Sequence, residues 1–180
     1  RLGRPLMESD TPAPLNVYGR SKARLEAEVT ALAGTHLIIR TAAFFSPRDS
    51  YNFAVHAVEM LTRGERFRAA VDQVISPAYV PDLSDAVIDL LIDGEAGIWH
   101  LTNGEALSWA EFAQRIAHAS GLDADLVEPI GGASFGWQAP RPGFVPLASN
   151  RGCLMPPLQH AIDRFAEDMR KQGRLRSRTA

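Results

Sequence analysis

The sequence is poor in cysteine, in clustered histidine and in lysine. One cysteine, Cys153, excludes an internal disulfide and fits a reducing compartment, so a cytoplasmic setting is expected. Cys153 itself is expected to pack as a small apolar residue. Five histidines, at 36, 56, 100, 118 and 160, lack the spacing of a metal site, so no metal is expected. No apolar run approaches the roughly 20 residues that span a membrane, so no membrane partner is expected. A net charge of −2 gives no overall pull on nucleic acid either. Lysine is scarce: 17 of 19 basic residues are arginine, leaving Lys22 and Lys171. A glycine-rich βα turn is also missing. The only adjacent glycines, Gly131-Gly132, follow no βα opening and read as a loop rather than a phosphate cradle.

What remains is ordinary globular material. With 180 residues, 46% hydrophobic and 22% charged, the chain can bury a core as one domain. Pro14 can open a helix carrying Leu25, Val29 and Leu32 at helical spacing, with Gly34 at its end. Leu37-Ile38-Ile39 reads as a short strand buried on both faces. A helix is expected over 52–63, a strand near 67–70, and a loop over 72–77. Leu83, Ala86, Val87, Leu90 and Leu91 form a helical stripe, and 97–101 reads as a strand. Ser108-Trp109-Ala110-Glu111 has the pattern of a capping box, with Leu107 and Phe112 as a hydrophobic staple and Gly121 as the helix end. Residues 129–157 show little periodicity. Leu158, Ala161, Ile162 and Phe165 mark a last helix, and a basic, disordered tail is expected over 169–180. Alternating helices and short strands imply an α/β layered fold, with the packed part over 1–168.

Tyr18 and Lys22 carry the chemical signal. Residues four apart share one helix face. A phenol is a poor proton donor at neutral pH, and a nearby ammonium stabilises the phenolate it leaves behind. A carbonyl reductase needs such a donor for the oxygen while a hydride attacks the carbon. The same pair also suits an amphipathic helix with a surface lysine.

The stretch Pro14-Leu15-Asn16-Val17-Tyr18-Gly19-Arg20-Ser21-Lys22 resembles the catalytic helix of extended short-chain dehydrogenases/reductases, above all the dTDP-4-dehydrorhamnose reductase family. Supporting segments follow in order: Leu37-Ile38-Ile39-Arg40-Thr41, Asp72-Gln73, Ser76 to Leu83, Gly97 to Thr102, Ser108 to Ala113, Arg141-Pro142 and Leu154 to Leu158.

The resemblance implies the C-terminal part of a Rossmann-type fold with its small substrate-binding subdomain. It implies reduction of the 4-keto group of a nucleoside-diphosphate deoxysugar with NADPH, or with NAD. Tyr18 would be the acid, and Lys22 would assist it and bind the nicotinamide ribose. Thr41, Ala42 and Ala43 would lie beside the nicotinamide. Gln73, Ser76, Tyr79 and Arg141 would face the sugar nucleotide. Many members of the family carry a tryptophan against the sugar near the position of Ala43; here Phe44 and Phe45 follow Ala43, and their rings either replace that surface or join the core.

The family's N-terminal half, which holds the glycine loop and a Ser/Thr of the catalytic set, has no match here. The chain is therefore expected to be a fragment or module that needs that half, to be inactive alone and to self-associate through the uncovered Leu37–Ile39 edge. A non-catalytic sugar-nucleotide-binding or regulatory module, and a nucleotide-sugar epimerase or dehydratase, remain as alternatives.

Overall fold

The computed structural model describes residues 3–175. Helix α1 spans Val17–Thr30. It starts at Val17 rather than Pro14 because Asn16 stops the turn: its side-chain oxygen accepts from the Gly19 N–H at 2.8 Å. No residue of α1 is buried. Strand β1 (Leu37–Arg40) follows, then the two-residue β2 (Phe44–Phe45) and helix α2 (Phe53–Thr62). Strands β3 (Phe67–Ala70), β4 (Val74–Ile75) and β5 (Ala78–Tyr79) lead into α3 (Val80–Ile92). Next come β6 (Gly97–His100), β7 (Leu107–Ser108), α4 (Trp109–Ser120), β8 (Val127–Ile130) and α5 (Leu158–Lys171).

Three pairings are parallel: β1 with β6, β2 with β5, and β3 with β8. The pair β4 and β7 is antiparallel. Parallel pairing needs crossover connections, and α3 lies on the one between β1 and β6. Strand β1 has β6 as its only partner among the described residues, and its four residues are half-buried rather than buried on both faces. The stripe of Leu25, Val29 and Leu32 on α1 likewise meets no cover: Leu25 and Leu32 are exposed and Val29 is half-buried.

The main core lies elsewhere. Phe45, Tyr79, Phe112, Leu158, Ile162, Phe165 and Met169 pack together, with Phe45 at 5.0–5.7 Å from the rings of Tyr79, Phe112 and Phe165. Offset and edge-on aromatic contacts of this kind add to the burial itself. The capping box forms: Ser108 Oγ accepts from the Glu111 N–H, and Glu111 accepts from the Ser108 N–H. Gly121 closes α4 in the left-handed conformation, φ 72°.

Three expectations are corrected by packing. The loop expected over 72–77 contains β4, held by β7. The aperiodic stretch after residue 129 begins inside β8, a full partner of β3. The chain also stays packed past 168: Met169 is fully buried and Leu175 joins the same core, so a tail does not begin at 169. Arg170 donates to the Ala119 carbonyl and Arg174 to that of Pro47. Residues 176–180 of the expected tail lie outside the described residues. Among the described residues no helix is long and apolar enough to cross a membrane.

Candidate active site at the head of helix α1

Tyr18 sits in the first turn of α1 with 71% of its surface exposed, and Lys22 follows it on the same side. The Lys22 ammonium stands 5.7 Å from the centre of the Tyr18 ring. The turn can be this tight because residue 19 is glycine. A Cβ there would come 3.0 Å from Pro14 Cβ.

The middle of α1 is tied to the end of β1. Glu26 accepts two hydrogen bonds from the Arg40 guanidinium, at 2.8 and 2.6 Å. Arg40 hydrogen bonds the Glu26 carboxyl and holds it below the usual carboxylate range against the cost of burial. Tyr18 lies eight residues before Glu26, about 12 Å along the helix at 1.5 Å per residue. Tyr18 and Lys22 are thus carried beyond the carboxyl end of β1, the end where α/β sheets hold ligands.

At that end come Thr41, Ala42 and Ala43. Ala43 has φ 47°, a left-handed conformation that costs a non-glycine residue, and its carbonyl accepts from the Ala78 N–H at 3.2 Å. Thr41 Oγ1 is buried with no partner. An orphaned hydroxyl and a strained backbone at the carboxyl end of β1 fit the nicotinamide–ribose end of a dinucleotide.

A cavity of about 340 Å³ is lined by Asp72, Gln73, Gly132, Trp137, Arg141 and Gly143 among others. Asp72 accepts from the Gly132 N–H at 2.8 Å, and a Cβ on Gly132 would come 2.5 Å from Gln73 Nε2. Gly132 is thus a close-approach position, not a flexible loop residue. Phe135 and Trp137 stack face to face at 4.5 Å, with the Arg68 guanidinium 5.7 Å from the Phe135 ring and that of Arg141 5.3 Å from Trp137.

Gln73 and Arg141 therefore share one cavity. Ser76 and Tyr79 do not join them. Both are 1% exposed. Ser76 Oγ accepts from the Leu147 N–H at 3.1 Å, and the Tyr79 hydroxyl donates to Asp168 at 2.9 Å. Burial and the Asp168 carboxylate both raise the Tyr79 phenol above its ordinary value, so it stays neutral. Tyr79 is a core residue whose polar tip is already used. Phe45 is core as well, whereas Phe44 is exposed. Sequence reasoning missed Asp72, Arg68, Phe135 and Trp137. The available signal was an aromatic pair around Gly136, whose φ of 64° turns the chain so that the rings stack. Among the described residues no three His, Cys, Asp or Glu side chains gather as a metal site.

Comparison with known proteins gives concordant results. Residues 2–168 match the RmlD substrate binding domain family. The spore coat polysaccharide biosynthesis protein SpsK of Bacillus subtilis is 32% identical over 144 residues, 80% of this chain and 50% of that protein. A dTDP-4-dehydrorhamnose reductase of Mycolicibacterium smegmatis is 31% identical over 148 residues, 82% of this chain and 45% of that protein. The crystal structure of a dTDP-4-dehydrorhamnose reductase from Bacillus anthracis, in complex with NADP, superposes with a TM-score of 0.83 at 30% identity, covering 90% of this chain and 59% of that one. The chain spans about half the length of the curated relatives it matches.

Proposed function

The chain belongs to the RmlD substrate binding domain family, and on that premise we propose that it is the proton-donating and substrate-binding part of a nicotinamide-dependent reductase of nucleoside-diphosphate sugars. Its fold is the C-terminal part of a Rossmann-type extended short-chain dehydrogenase/reductase. The observation that carries the proposal is the exposed Tyr18–Lys22 pair at the carboxyl end of β1.

The target is the 4-keto group of a deoxysugar carried on a nucleoside diphosphate. When bound, the dinucleotide supplies a hydride to the carbonyl carbon. Tyr18 donates its hydroxyl proton to the oxygen, which becomes an alcohol. The Lys22 ammonium stabilises the phenolate left on Tyr18. Lys22 and the backbone at Thr41–Ala43 hold the nicotinamide ribose end. Arg141 pairs with the diphosphate and Gln73 hydrogen bonds the substrate in the same cavity. The dinucleotide is NADPH, as in the Bacillus anthracis complex with NADP, with NADH the alternative.

The pyrophosphate end of the dinucleotide needs a glycine-rich half that these residues do not supply. In this reading that half covers the free edge of β1 and the uncovered face of α1. The chain alone is then inactive and self-associates through the β1 edge. The test is NADPH oxidation with a dTDP-4-keto-6-deoxyhexose, by the 180-residue chain and by the chain joined to a dinucleotide-binding half. Oxidation is expected only from the joined polypeptide. Turnover by the chain alone removes the need for the half. No turnover by the joined polypeptide on any nucleoside-diphosphate 4-keto sugar removes the reductase reading. Light scattering at micromolar concentration checks the self-association, which a clean monomer contradicts.

A further inference from the structure

Asn16 stands two residues before Tyr18 and uses both ends of one amide. Its Oδ1 accepts from the Gly19 N–H at 2.8 Å and closes the first turn of α1. Its Nδ2 donates to the Pro140 carbonyl at 3.1 Å, 124 residues away in sequence. Capping alone does not require asparagine, since aspartate or serine caps as well. Among the good helix caps only asparagine carries a donor nitrogen separate from its accepting oxygen.

The bond lands on a telling place. The Pro140 carbonyl belongs to the peptide that leads into Arg141, the cation over Trp137 at the cavity. Prolines on both sides of Arg141 restrict that segment's backbone, so a bond at one carbonyl fixes its neighbours. Among the described residues, no other hydrogen bond joins residues 16–25 to another segment.

We infer that Asn16 is a positioning residue whose amide straps the Tyr18 end of α1 to the Arg141 segment, fixing the proton donor against the anion-binding side of the cavity. The inference rests on the reductase reading above, and two readouts keep the two apart.

The first readout uses the 180-residue chain and no substrate. Asn16→Ser and Asn16→Asp keep the helix cap and lose the strap. The backbone order parameter of Arg141 from ¹⁵N relaxation should fall from about 0.85 to below about 0.6. Helix content should not change. Asn16→Asp, which sets a carboxylate against the Pro140 carbonyl, should show the larger fall. The second readout uses the chain joined to its dinucleotide-binding half. There KM for the sugar nucleotide should rise about fivefold while KM for the dinucleotide stays within twofold. An unchanged order parameter at Arg141 overturns the strap. So does an equal rise in both KM values, which marks a merely structural residue. A fall in the variants, together with a joined wild-type protein that turns over no sugar nucleotide, upholds the strap and overturns the reductase reading instead.

Discussion

Helices α1 and α5 are each 14 residues long and live in opposite surroundings. Six residues of α5 are buried: Leu158, Ala161, Ile162, Phe165, Ala166 and Met169. None of α1 is. Both carry apolar residues at helical spacing, so the difference lies in what each faces. Helix α5 meets α4 and the rings of Phe45 and Tyr79, all within this chain. Helix α1 touches the rest of the chain mainly through polar links, at Asn16–Pro140 and Glu26–Arg40. Stability thus resides around α4 and α5, while the proposed acid stands on an element whose apolar face has no cover among the described residues. In the proposed reading the dinucleotide-binding half supplies that cover, and the chemistry forms where the two halves meet.

The largest test of that contrast compares one side chain from each helix. Phe165→Ala empties a fully buried site and should cost about 3–5 kcal/mol in denaturant unfolding. Leu25→Ala, at a residue 52% exposed, should stay within about 0.5 kcal/mol. A comparable loss at both sites breaks the contrast. A loss at Leu25 that appears only when a dinucleotide-binding half is joined sharpens it.

Next in size is Gly132→Ala. The added methyl group meets Gln73 and Asp72 side-chain atoms and should cost about 1–3 kcal/mol, with weaker binding of a nucleoside diphosphate by titration calorimetry. Unaltered binding would show that the cavity tolerates the shift of Gln73.

Ser108→Ala removes one side of the capping box on α4. It should lower stability by about 1 kcal/mol by thermal unfolding, with Tyr18 and its surroundings undisturbed.

The smallest effect concerns the segment before α1. Burial would raise the Glu8 carboxyl, but hydrogen bonds from Ser149 Oγ and the Asn150 and His100 N–H groups outweigh it and hold it at about 2. A depressed carboxylate contributes fully above its ordinary value of 4.5 and loses that contribution as pH falls toward about 2. Amide exchange at His100 and Asn150 should therefore rise across that window. Glu8→Gln should flatten the dependence, and an unchanged profile in that variant would assign it to another group.

The sequence made some of this legible for local reasons. Strand β3 falls at 67–70 as expected, and the Ser108–Glu111 box and the Gly121 stop are short-range signals whose partners lie within four residues. The stripe on α1 marked a helix, as found, but periodicity tells which face wants cover, not whether the cover is present. Tyr79 and Ser76 misled for a different reason. Their positions came from a family pattern, which says nothing about where a side chain points. The partner that occupies Tyr79 is Asp168, 89 residues on. The Phe135–Trp137 stack was hidden because it depends on one glycine turn and not on any period.

The central claim is that Tyr18 gives the proton, and initial rates of NADPH oxidation with a nucleoside-diphosphate 4-keto sugar test it most directly. In the chain joined to its dinucleotide-binding half, Tyr18→Phe should lower turnover by about 10²- to 10⁴-fold, the usual share of a general acid, with dinucleotide binding unchanged. A Tyr18→Phe protein that keeps the wild-type rate would contradict it.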